Sequence, residues 1–120
     1  MTVSTDFADA YIAATNAGDT TAFAEPDVVI WHNFDGIEVD GAASARTLAW
    51  LHRTVPDIAW TENRITPTPS GFVWQSVMTG SAPGGPLHAH TCAVITLSPA
   101  GKVARIEEYV DASALAPLRA

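Results

Sequence analysis

The sequence predicts an α+β domain in which a curved, mostly antiparallel sheet wraps over three helices. Three observations lead there. Helical patterns fall near the start and in the 40–55 region, whereas residues 58–110 read as strands, so helices and strands are segregated rather than alternating as β-α-β units. Turn signals rich in Pro and Gly divide that second half into four strands. The length, 120 residues with 48% hydrophobic and 16% charged, suits one globular domain spanning 1–120.

Taken in order, Phe7, Ala10, Tyr11 and Ala14 recur at i, i+3, i+4, i+7 and predict one face of a first helix. Ser4 or Thr5 can cap it and Gly18 can end it. Asp19 can cap a short second helix through Phe23, closed by Glu25-Pro26. The β-branched run Val28-Val29-Ile30 leads into Trp31 and His32 as a strand, and Asp35-Gly36 turns the chain into a short segment, Ile37 to Val39. Asp40 can cap a third helix with Ala45, Leu48, Leu51 and Val55 on its apolar side. Pro56 ends it, and Arg46, His52 and Arg53 are expected on its wet side. Four strands follow: Ile58 to Ile65, Phe72 to Gly80, Leu87 to Leu97 and Val103 to Val110. Their connections are a Pro67–Gly71 loop, a Pro83–Pro86 loop and a Pro99-Ala100-Gly101 turn, and a short tail leaves after Asp111. The order is helix, helix, two strands, helix, four strands. A sheet curved over helices encloses a cavity.

Charge narrows the function classes. The net charge is −7, and the six Lys and Arg are scattered, which argues against nucleic acid and against anionic membrane surfaces. No leader pattern or membrane-length apolar run is visible, so a cytoplasmic location is the expectation. The single cysteine, Cys92, reads as a buried structural thiol. A chain this short that also encloses a pocket is expected to gain buried surface as a homodimer.

In the last strand, Ala104, Ile106, Glu108 and Val110 share one phase, and Val103, Arg105, Glu107 and Tyr109 the other. The apolar phase should face inward, carrying Glu108 with it. Burial raises a carboxyl pKa, so such a group pairs, stays protonated or serves a site. His32 is its natural partner, since histidine takes and returns a proton near neutral pH. Tyr11 points to the core or the pocket floor. Trp31, Ile30, Trp50, Ile106, Val110 and Val77 are the candidates to line a pocket for an apolar ligand. His88 and His90 share one strand face, a spacing open to metal but without a clear third ligand, so a solvated or subunit-contact face is the simpler reading. No phosphate-binding loop, dinucleotide fingerprint or G-x-S-x-G signature occurs, and no cofactor is expected.

Three segments carry a family resemblance: Tyr11 through Asp19, Asp27 through Gly36, and Gly101 through Asp111. In order and spacing the chain resembles the NTF2-like superfamily, in particular its ketosteroid-isomerase-like and SnoaL-like polyketide-cyclase branch. The resemblance implies a cone of curved sheet and three helices, commonly dimeric, with a pocket at its mouth. It implies that Tyr11 donates to a substrate oxyanion, that His32 holds the general-base position and that Glu108 falls where limonene epoxide hydrolases carry a pocket aspartate. The isomerases' second oxyanion donor aligns near Cys92 or Ala93, where there is no acid. The hydrolases' Arg and Asp align near Val77 and Thr79, so that triad is absent. Scytalone-dehydratase-like enzymes on this fold also use histidine.

Three functions are open on this reading. The first is a cofactor-independent proton-transfer enzyme (isomerase, cyclase or dehydratase) acting on an apolar carbonyl compound. The second is a module that binds such a molecule unchanged. The third is a protein-interaction domain using the outer sheet face.

Overall fold

The computed structural model describes residues 5–119. Helix α1 (Thr5–Ala17) buries Ala8, Tyr11, Ile12 and Thr15, an i, i+3, i+4, i+7 stripe. Its inward face is therefore rotated from the expected one, and Ala10 is exposed. Thr5 is its first residue, and Ser4 lies outside the described residues. Gly18, at φ +97°, ends it by donating to the Ala14 carbonyl, the left-handed stop that glycine adopts without strain. The second helix is a single 3-10 turn, Thr21–Phe23. Asp19 starts it by accepting from the Thr21 amide and hydroxyl. Glu25-Pro26 does not close it, because strand β1 (Ala24–His32) already begins at Ala24.

A short β2 (Glu38–Asp40) follows, one residue later than expected. Asp40 then caps α2 (Gly41–Thr54), accepting from the Ala43 amide at 2.8 Å. The remaining strands are β3 (Ala59–Thr68), β4 (Gly71–Ala82), β5 (Gly85–Leu97) and β6 (Val103–Val110). They form one sheet in the order β2-β1-β6-β5-β4-β3, antiparallel except for the parallel pair β1–β6. The tail is a 3-10 segment, Ala112–Leu118, packed against β5.

Two loops are tighter than the Pro-rich sequence suggests. β3 runs on through Pro67, paired with Phe72. β3 is a sheet edge, and an edge strand tolerates a residue that cannot donate. The β4–β5 hairpin closes with Ala82 opposite Gly85, leaving only Pro83-Gly84 as the loop. Gly71 begins β4 where a Cβ would be driven into the Ile95 carbonyl oxygen. Gly71→Ala should therefore cost about 3 kcal/mol of stability, read by thermal melting, because backbone cannot yield as a side chain can.

Strand alternation holds along β6 up to one irregularity. Pairing slips from Thr96–Arg105 to Leu97–Val103, so Ala104 is an extra residue on β6. Beyond this bulge the phase reverses, and Val103, expected outward, is fully buried. Arg105 does face out, paired with Glu38 at 2.8 Å and Glu107 at 3.4 Å.

Two apolar clusters stand on the concave face. One gathers Phe72, Ile30, Ile95 and Val103 under α1, and the other gathers Val55, Ile58, Met78, Leu87 and Ala89. Trp60 packs against both. No residue of α2 is fully buried. It covers an opening rather than a packed core.

Candidate functional site

That opening is a cavity of about 250 Å³. Tyr11 from α1, His32 from β1 and Glu108 from β6 all line it. The parallel pairing of β1 with β6 sets Ile30 opposite Ile106 and His32 opposite Glu108, so the histidine and the carboxyl are cross-strand neighbours on one face. Asn33 locks this register. Its amide donates to the Glu108 carbonyl at 3.0 Å, and its side-chain oxygen accepts from the Val110 amide at 2.9 Å. The His32 ring lies against Phe34, with centroids 5.2 Å apart.

Glu108 has its pKa raised above the ordinary 4.5, chiefly by burial; the nearby His32 charge opposes the shift but is the smaller cause. Among the described residues no hydrogen bond joins the His32 ring to the Glu108 carboxyl. Glu108 is therefore inclined to the neutral, proton-donating form rather than to a carboxylate that orients the imidazole. Tyr11 is pushed well above the usual phenol range, first by burial and then by Glu108; a hydrogen bond with the Thr20 side chain opposes this. Its hydroxyl stays a donor, and its ring is held edge-on by Trp74 and Phe23 at 6.0 and 5.9 Å.

The rest of the lining is mainly apolar. Trp50, Ile106 and Val110 are in it. Three other candidates are not. Trp31 follows the opposite strand phase from His32 and packs on Tyr109 at 5.4 Å, on the outer face. Ile30 shares the inner face but is buried in the cluster under α1. Val77 alternates with the inward Ser76 and Met78, and its cross-strand neighbour is the exposed His90.

The periodicity did not reveal Trp60, Trp74, Leu115 and Leu118, which also line the cavity. Two asparagines fix the tryptophans. At a bulge in β3, Glu62 takes φ 52° and the exposed Asn63 accepts from the Trp74 indole at 2.8 Å. Asn16 of α1 accepts from the Trp60 amide at 2.8 Å and donates to its carbonyl. Asn63→Ala should leave the Trp74 indole unpaired and cost about 1–3 kcal/mol, with a change in tryptophan emission.

His52 is not on the wet side. Its ring donates to the Thr15 carbonyl at 3.0 Å and stacks near Trp60, so it ties α2 to the end of α1. Arg46 and Arg53 are exposed as expected. Cys92 is half-buried rather than buried. His88 and His90 sit with ring centroids 5.5 Å apart. Among the described residues no group of three or more His, Cys, Asp or Glu could hold a metal ion, and no helix is long and apolar enough to cross a membrane.

A sheet bent over helices, with Tyr11, His32 and Glu108 in a mainly apolar cavity, has the α+β cone architecture called NTF2-like, and solved structures share that fold. A candidate SnoaL-like polyketide cyclase from Shewanella denitrificans superposes with a TM-score of 0.79 at 14% identity, over 93% of this chain and 93% of that one. A candidate polyketide cyclase from Xanthomonas campestris gives 0.78 at 20% identity, over 91% and 90%. A candidate isomerase from Bacillus subtilis gives 0.75 at 13% identity, over 93% and 88%. At these identities the likeness is one of fold. No family model and no curated protein sequence matches the chain.

Proposed function

We propose that the protein is a proton-transfer enzyme for an apolar carbonyl compound, and that it works without a cofactor. The observation that carries this is the half-buried carboxyl of Glu108, lining the cavity beside His32 and close enough to Tyr11 to perturb it. The His32 imidazole removes a proton from the carbon next to the substrate carbonyl. The C–H electron pair moves into the carbon skeleton and the carbonyl oxygen becomes an enolate. Tyr11 and neutral Glu108 donate hydrogen bonds to that oxygen. A tyrosine and a protonated carboxylic acid around one oxyanion is the ketosteroid isomerase arrangement. Ala93, near the position where the isomerases carry that acid, pairs across the sheet with Glu108, so the neighbouring strand supplies the group.

From the enolate three outcomes balance. The proton returns from His32 to another carbon, giving an isomer. The carbon attacks a second carbonyl of the same molecule, and the alkoxide formed there takes the proton back from His32, giving a ring. A β-hydroxyl leaves as water, taking the proton, giving a dehydrated product. The fold neighbours described as candidate cyclases and isomerases support this range.

A competing reading, a pocket that holds its ligand unchanged, draws on one observation: no hydrogen bond from Glu108 fixes the His32 ring. Incubating neutral aromatic ketones with the protein in D2O separates the two. Deuterium entering next to the carbonyl faster than in buffer is the expected result. Ketones that bind without exchanging would leave only the binding module.

A further inference from the structure

Six cationic side chains serve a chain of net charge −7, and two of them stand on one face of α2. Arg46, Trp50 and Arg53 fall at i, i+4 and i+7, which brings them onto one side of the helix. With Ala43 and Thr47 they form a shallow groove. Thr47 and Trp50 belong to this groove and to the lining of the cavity, so the groove adjoins the cavity. Trp50 is 41% exposed, an apolar step between the two spaces. Arg105 is engaged by Glu38 and Glu107. Among the described residues neither Arg46 nor Arg53 has an ion-pair partner.

The cavity itself has no lysine or arginine in its lining. A permanently anionic group carried inside would lose its hydration and find no lysine or arginine to pair with. Outside, the protein's negative charge repels anions except where cations cluster. The groove answers both constraints.

We infer that the substrate is amphiphilic: an apolar carbonyl body enters the cavity while an oxyanion, a carboxylate or a phosphate ester, stays outside on Arg46 and Arg53. This rests on the proposed reading of the cavity and adds the chemical class of the substrate's other end. Guanidinium forks match both oxyanions. The two side chains are rooted about 10 Å apart along the helix. One therefore holds the anion and the other strengthens the local field.

The test uses three 6-acyl-2-(dimethylamino)naphthalene ketones whose acyl chains end in a carboxylate, a phosphate or a methyl ester. Their emission shifts when the ring system leaves water, and the affinity of each is read by titration. In the wild type one or both anionic probes should bind about fivefold tighter than the ester, as two exposed charges allow. The preference should vanish at high salt and in the Arg46→Gln/Arg53→Gln double variant, with ester affinity kept. Whichever anion is favoured identifies the oxyanion. Equal affinity for ester and anions, or a preference that survives the double variant, overturns the inference and leaves the cavity reading standing. Failure of all three probes to bind overturns both.

Discussion

His32→Ala should lower turnover by about 10²-fold or more while ligand affinity stays within a few-fold of wild type. The loss should fall on turnover because the proposed role of His32 concerns one proton at one step, whereas the cavity wall is spread over Trp50, Trp60, Trp74, Ile106 and Val110. The assay follows the conjugated enone formed from a β,γ-unsaturated 3-ketosteroid, with fluorescence titration for affinity. Added imidazole should restore part of the activity, since the substitution leaves a hole beside Phe34 and Glu108 that a free ring can fill. Unchanged turnover would remove His32 from the mechanism. A parallel loss of binding would make it a packing residue.

Glu108→Gln carries the second large effect, and it works in opposite directions on stability and activity. Between 4.5 and the raised value of Glu108, the folded protein holds a proton that the unfolded chain has released. The native state binds more protons in that window, so stability falls as pH rises through it, and the full penalty is present above it. Gln is neutral at every pH. The variant should melt higher than wild type at neutral to alkaline pH and alike below pH 4.5. Activity moves the other way. Wild-type kcat/KM should decline as pH rises through the raised Glu108 value, because the hydrogen-bond donor to the oxyanion is lost. Glu108→Gln should lack that limb and run slower by about tenfold, keeping an amide donor weaker than a carboxylic acid. A variant that melts lower than wild type at every pH would show that the carboxyl is a structural partner instead.

Strand alternation alone carries Glu108 inward with Ile106, and His32 inward with Ile30 and Val28, so the inward placement of both side chains is legible in the sequence. Their adjacency is not, because it depends on β1 lying parallel to β6, a pairing between distant segments that no local pattern encodes. Alternation also argues against Trp31 beside His32 and against Val77 beside Met78, since neighbouring strand residues face opposite sides. Other departures come from places where a period breaks. One extra residue at Ala104 turns Val103 inward, and the bulge at Glu62 and Asn63 re-aims Trp74's partner. Pro67 could sit in a strand only because β3 is an edge, which becomes known once strand order is known. His52 read as solvated because a helix pattern shows its own faces but not what crosses them; here the end of α1 does.

On the proposed mechanism the cavity carries a neutral carboxylic acid, Glu108, beside the base. This is tested most directly by carbon-13 NMR of the protein labelled at glutamate side-chain carboxyls, with Glu108→Gln to assign the missing resonance. The Glu108 signal should keep the shift of a protonated acid above pH 4.5, after the exposed glutamates have ionised. A Glu108 signal that titrates with them, at or below 4.5, would contradict it.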